Sequence, residues 1–80
     1  MSVNLKLMST SHCHLCEQAE SLLSGLVAQY KFEYVVVEII DDSALYERYA
    51  NTIPVLKNLN TNREISWPFS THDIEILLTV

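Results

Sequence analysis

STSHCHLCEQAESLL (residues 9–23) places two cysteines, Cys13 and Cys16, where one periodicity gives way to another. Ahead of it, VNLKLM (residues 3–8) alternates, with Val3, Leu5 and Leu7 facing one way and Asn4 and Lys6 the other. That is the pattern of a half-buried strand. From about residue 13 to 30 the apolar positions recur every three or four residues. Cys16, Ala19, Leu23, Leu26 and Tyr30 form the stripe, and Leu22 and Val27 widen it. Glu17, Gln18, Ser21 and Gln29 occupy the opposite side, as in an amphipathic helix. Ser9, Thr10 and Ser11 offer N-caps, Glu17 and Glu20 suit the positive end of the helix dipole, and Gly25 is a mild cost.

The remaining chain continues this alternation. FEYVVVEII (residues 32–40) is β-branched and aromatic, a strand, and its continuous YVVV predicts burial on both faces. A short helix is expected over about 43–51, capped by Asp42 or Ser43. TIPVLKNL (residues 52–59) reads as a third strand, NTN as a turn and REISW (residues 63–67) as a fourth strand, together a hairpin. Ser70 or Thr71 caps a last helix with Ile74, Leu77 and Leu78 on its apolar side, and Asp73 stands three residues after Ser70 as in a capping box. The element order is β-α-β-α-β-β-α: an α/β chain with a right-handed βαβ first half and a hairpin plus helix in the second.

Eighty residues make a single domain, residues 1–80, with a thin core. The chain is 49% hydrophobic and 19% charged, a globular composition. Ten acids against five bases give a net charge of -5, and Lys6, Lys31, Arg48, Lys57 and Arg63 are scattered. Neither nucleic acid nor an anionic membrane surface is an expected partner. No apolar run approaches a membrane span. MSVNLKLMSTSH (residues 1–12) lacks a basic stretch followed by a long apolar one, so no signal peptide is expected and the cytoplasm is the expected location. There, a C-x-x-C pair points to catalysis or metal binding more than to a structural staple.

Three readings of Cys13 and Cys16 follow from their position. As a redox pair, Cys13 lies at a helix start, where free N–H groups and the dipole favour a thiolate. Cys13 then attacks a disulfide, and Cys16, further along on the apolar stripe, resolves the mixed disulfide. As a metal site, HCHLC (residues 12–16) offers two thiols and two imidazoles, with His72 elsewhere, but no second ligand pair closes a tetrahedron. An iron–sulfur cluster shared between chains is a further variant of that reading. As packing, both thiols are small buried hydrophobes. The redox reading is favoured, and no metal ligands are assigned. His12 and His14 read first as solvated loop residues; protonated His14 would add positive charge near Cys13.

A β-α-β-α-β-β-α chain with C-x-x-C at its first helix and Thr52-Ile53-Pro54 before its third strand resembles the thioredoxin fold. Its length resembles the glutaredoxin-like branch. CHLCEQA, IPVL and WPF together resemble a glutaredoxin-like family of small bacterial proteins, over about residues 3–79. The resemblance implies a four-stranded mixed sheet in order 2-1-3-4, strands 1 and 2 parallel, with helices on both faces. By residue type alone the Ile53–Pro54 bond reads as trans; the resemblance implies that it is cis and stands beside Cys13. It also implies that the Ile53 backbone pairs with an extended substrate and that Thr52 lines the same groove.

The implied activity is thiol–disulfide exchange on disulfide-containing proteins or small thiols. The departures from the family concern the substrate. His14-Leu15 replaces the usual Pro-Tyr between the cysteines, "STSH" lacks the usual lysine, and WPFS stands where Gly-Gly and an acid usually precede the last helix. His12, His14 and Leu15 are therefore candidate specificity residues. No bound cofactor is expected. Glutathione stays open as a reductant, weakened by the missing anion clamps. Trp67, Pro68 and Phe69 read as a core plug first and as an apolar wall beside the cysteines second. A thioredoxin-fold binding module, using the thiols for zinc, an iron–sulfur cluster or redox-sensitive docking, is the alternative function. A monomer is expected; in order 2-1-3-4 the second strand is an edge that holds YVVV, so weak edge pairing is the alternative unless Lys31, Glu33 and Glu38 guard it.

Overall fold

The computed structural model describes residues 3–79. Strands β1 (Val3–Ser9), β2 (Phe32–Glu38), β3 (Val55–Asn58) and β4 (Glu64–Ser66) alternate with helices α1 (His14–Tyr30), α2 (Ser43–Tyr49) and α3 (Thr71–Thr79). The sheet order is β2-β1-β3-β4. β1 and β2 are parallel, whereas β3 runs antiparallel to both β1 and β4. This is the mixed four-stranded sheet and strand order expected for the thioredoxin fold.

Two apolar clusters sit on opposite faces of β1 and β3. Leu5, Leu7 and Leu56 meet Ala19, Leu23 and Leu26 of α1 and Ile74 and Leu77 of α3. Met8 and Val55 meet Ile39 and Tyr49. Helices therefore cover both faces. β1 is not the half-buried strand that its alternation predicts: Met8 and Ser9 are buried as well as Leu5 and Leu7. A central strand loses water on both sides even where its pattern alternates.

β2 departs in the opposite sense. Val35 and Val36 are 56% and 44% exposed, so the run YVVV is not buried on both faces. The edge position leaves them uncovered. The strand also stops at Glu38, where a 3-10 turn (Ile39–Asp41) takes over.

At α2 and α3 the caps follow the sequence; at α1 they do not, because the chain reaches the helix only at Cys13, which is the N-cap in place of Ser9, Thr10 or Ser11. Asp42 Oδ1 accepts from the N–H groups of Ala44 and Leu45 at 2.9 and 3.3 Å, fixing the start of α2. At α3, the Ser70 hydroxyl accepts from Asp73 N–H at 3.3 Å while Asp73 Oδ2 accepts from Ser70 N–H at 2.9 Å. An aspartate thus closes the reciprocal box that glutamate more often closes. Buried Asn58 ties the hairpin to α3: its amide donates to Leu77 C=O at 2.8 Å and its oxygen accepts from Asn60 N–H at 2.8 Å. The Tyr49 hydroxyl donates to Glu64, fastening α2 to β4; burial first, then that carboxylate, raises the phenol above its usual range. Among the described residues, no helix is long and apolar enough to cross a membrane.

Candidate active site

The carboxyl end of β1 leads through a short loop into α1; Cys13 ends that loop and Cys16 lies in the first turn of the helix. Cys13 is the N-cap, with extended backbone (φ -102°, ψ 106°), so the helix proper begins at His14. The Cys13 carbonyl accepts the first helical bond from Glu17 N–H at 3.1 Å. Its sulfur accepts from Cys16 N–H at 3.2 Å. A cysteine thus stands where serine, threonine or aspartate usually accept from the first turn.

Cys13 and Cys16 form a disulfide, with Cα atoms 5.2 Å apart. The two sulfurs face different surroundings. Cys16 is only 2% exposed, on the buried stripe of α1 with Ala19 and Leu23, while Cys13 is half-buried. Only the N-cap sulfur is open to a partner approaching from solvent.

His12, His14 and Leu15 surround the pair and are all exposed. His12 has left-handed backbone (φ 59°), directly ahead of Cys13. His14 Nδ1 lies 3.8 Å from the Glu17 carboxylate, so its imidazole is engaged by an acid one turn along the helix. Among the described residues, no three His, Cys, Asp or Glu side chains are grouped as metal ligands.

The sheet brings the distant residues to the same end. Ser9 is level with Glu38 of β2, and Met8 with Val55 of β3. One step further along that register stands Pro54, beside the exit of β1. Pro54 is buried and its bond to Ile53 is cis. Its carbonyl accepts from Trp67 N–H at 3.0 Å, which sets Trp67 at this end too. Trp67 is half-buried, edge-on to Phe69 at 5.0 Å, and packs against the main core with it. The Trp67–Pro68 bond is also cis, and nothing in the residue pattern of WPFS distinguished it from a trans bond.

Thr52 and Ile53 approach from the α2 side. Tyr49 C=O accepts from the N–H groups of both, at 2.9 and 3.0 Å, and from the Thr52 hydroxyl at 3.2 Å. The Ile53 N–H is therefore already engaged within the chain.

Glu38 was missed as a site residue by sequence reasoning, which cast it as a guard of the edge strand. Its Oε1 instead accepts from both Ser11 N–H and the Ser11 hydroxyl, each at 2.9 Å. Bonds from Thr10 first, then Ser11, hold its carboxyl below the usual range. The available signal was the parallel register, which sets Glu38 beside Ser9.

A family model described as Glutaredoxin-like domain (DUF836) matches residues 4–79. Among solved structures, the chain is similar to the Northeast Structural Genomics target protein XcR50 from X. campestris. The two are 35% identical over 90% of this chain and 91% of that one, with a TM-score of 0.74. It is also similar to the protein Ne2328 from Nitrosomonas europaea, at 26% identity, 99% and 94% coverage and a TM-score of 0.86. No curated protein matches.

Proposed function

The chain belongs to this glutaredoxin-like family, and from that premise we propose that it is a thiol–disulfide oxidoreductase acting through Cys13 and Cys16. The observation that carries the reading is the asymmetric pair: an N-cap sulfur that accepts a helix N–H and is open to solvent, bonded to a buried one. In the reduced protein that N–H and the helix dipole favour the Cys13 thiolate.

The reaction then runs in two exchanges. The Cys13 thiolate attacks one sulfur of a substrate disulfide; a Cys13–substrate disulfide forms and the other substrate sulfur leaves as a thiolate that takes a proton from water. Cys16, deprotonated, attacks the Cys13 sulfur, closes the Cys13–Cys16 bond and releases the second substrate thiol. Two electrons pass from the protein to the substrate, and an external dithiol or pair of monothiols restores the reduced state. Burial of Cys16 suits it to this second, internal attack.

Disulfide-bearing proteins or small disulfides are the proposed substrates, met by His12, His14, Leu15, Thr52, Ile53 and Trp67, with buried Pro54 shaping the groove from behind. Strand-like pairing of a substrate with Ile53 falls on its carbonyl, unless Tyr49 releases the N–H. Glutathione is a weak candidate, because no lysine or arginine occurs from Leu7 to Tyr30 to hold its carboxylates.

Alkylation of the reduced protein with iodoacetamide across pH tests the proposal. Cys13 is expected to react with a midpoint below the free-thiol value of about 8.5. Cys16→Ser should accumulate the mixed disulfide with a model substrate, and Cys13→Ser should be inert. A Cys13 that reacts no faster at neutral pH than an unfolded thiol removes the activated nucleophile, and with it the proposal.

A further inference from the structure

We infer that Glu38 is a positioning residue for Cys13, acting through the loop formed by Thr10, Ser11 and His12. The inference rests on the oxidoreductase reading and adds a residue from a different strand to its machinery.

The loop between β1 and α1 is short and contorted. It leaves the sheet at Ser9, turns through Ser11 and His12, and must deliver Cys13 to the N-cap. His12 achieves the turn with left-handed backbone, a region that disfavours any residue with a side chain. Such a conformation persists only where its surroundings hold it. The holding group is the Glu38 carboxylate. One oxygen takes both donors of Ser11, and the other accepts from Ile40 N–H at 3.4 Å, so the same side chain is itself braced by the 3-10 turn. Hydrogen bonds to an ionised carboxylate are among the stronger ones available to an exposed loop. Each step from Glu38 to the sulfur is a bond or a dihedral angle: carboxylate to Ser11, Ser11 to left-handed His12, His12 to the extended Cys13, and Cys13 Sγ to Cys16 N–H.

Glu38 acts on the Cys13 thiol in two opposed ways. Its negative charge raises the thiol pKa, while its grip on the loop keeps the sulfur under the helix N–H and lowers it. Glu20 lines the same hollow between α1 and β2, with Ser9, Thr10, Ser11, Val36 and Glu38, and adds a second negative charge. Glu17 and His14 stand on the helix side of the pair. A simple removal of Glu38 would therefore mix charge with geometry. Two substitutions separate them. Glu38→Gln removes the charge and keeps an oxygen for Ser11; Glu38→Ala removes both. The difference between them isolates the positioning.

The experiment measures iodoacetamide alkylation of Cys13 against pH in the reduced wild-type protein, E38Q, E38A and S11A, with a thermal melt of each. E38Q is expected to titrate at or below the wild-type midpoint. E38A is expected to titrate about half a unit to one unit above E38Q, or about threefold to tenfold slower alkylation on the acid side, with the same rate at the alkaline plateau. S11A loses the hydroxyl contact with no change of charge, and its midpoint should rise above wild type. A merely structural Glu38 would lower the melting temperature of E38A and leave the E38A and E38Q midpoints together. Coincident midpoints for E38A and E38Q, both folded, overturn the inference. If E38A does not fold, S11A decides, and a wild-type midpoint in S11A overturns it. A free-thiol midpoint in the wild type itself would instead remove the oxidoreductase reading.

Discussion

Cys13 caps α1 with its own sulfur, which accepts from Cys16 N–H and is bonded to a thiol buried one turn along. A thiol at the first turn of a helix has few bland explanations when a second thiol follows at the next turn. The helix start and the burial of Cys16 follow from the apolar stripe, but the N-cap does not: Ser9, Thr10 and Ser11 are the residue types that usually cap, and Cys13 takes that place with the Cys16 N–H on its sulfur. Glu38 shows the converse. Its partners Thr10 and Ser11 lie far from it along the chain, and only the parallel pairing of β1 with β2 brings them together. Side-chain contacts that depend on register are invisible to a reading based on periodicity. The carboxylates give a prediction at this scale. Glu38 is held below its usual range by Thr10 and then Ser11, and Asp73 by the Ser70 N–H and then its hydroxyl. A folded-state pKa below the unfolded one means that the ionised form supports the fold. That support is complete above the unfolded carboxylate values of about 4 and is lost as pH falls through the lower folded ones. Melting temperature should fall on acidification through this window, and the E38Q/D73N double variant should show a shallower fall than wild type.

At the scale of elements, helices were more legible than strands. Caps are local: Asp42, Ser70 and Asp73 name their own roles. Strand burial is not local, because it depends on which neighbours the sheet supplies. The run YVVV has the composition of an interior strand, yet β2 is an edge with Val35 and Val36 open to water. Met8, which the alternation of β1 placed outward, is buried against Ile39, Tyr49 and Val55. Helix α1 carries one correctable flaw. Gly25 sits in its exposed interior, and an added Cβ would meet nothing within 4 Å. Gly25→Ala should therefore raise stability by about 0.5–1 kcal/mol, read from urea denaturation, through better helix propensity and a less free unfolded chain. Loss of stability in that variant would show that the helix interior needs glycine for a reason other than space.

For the whole molecule, the element order could be assembled from patterns, whereas the strand order came with the thioredoxin-fold resemblance. Hairpins declare their pairing, but crossovers do not say on which side the next strand docks. Charge operates at this scale as well. The net charge is -5, and the cysteine loop and α1 carry Glu17 and Glu20 without a lysine or arginine. A field of one sign around a reacting group steers charged partners and fades with salt. With reduced protein, cystamine should react faster than dithiodipropionate by about tenfold at low ionic strength, each rate taken relative to that of a small neutral thiol. The gap should close in high salt. Equal rates for the dication and the dianion would show that the field does not reach Cys13.

The bond from Trp67 N–H to Pro54 C=O has a practical consequence. It fixes the chain's single tryptophan at the end of the sheet from which the cysteine loop departs, with Phe69 against its ring. The indole is half-buried, so its emission is sensitive to quenching and to polarity. The molecule thus offers an optical reporter of its own: Trp67 emission is expected to change when the Cys13–Cys16 bond is reduced in the unlabelled protein, and a spectrum unmoved by dithiothreitol would show that the indole does not sense the pair.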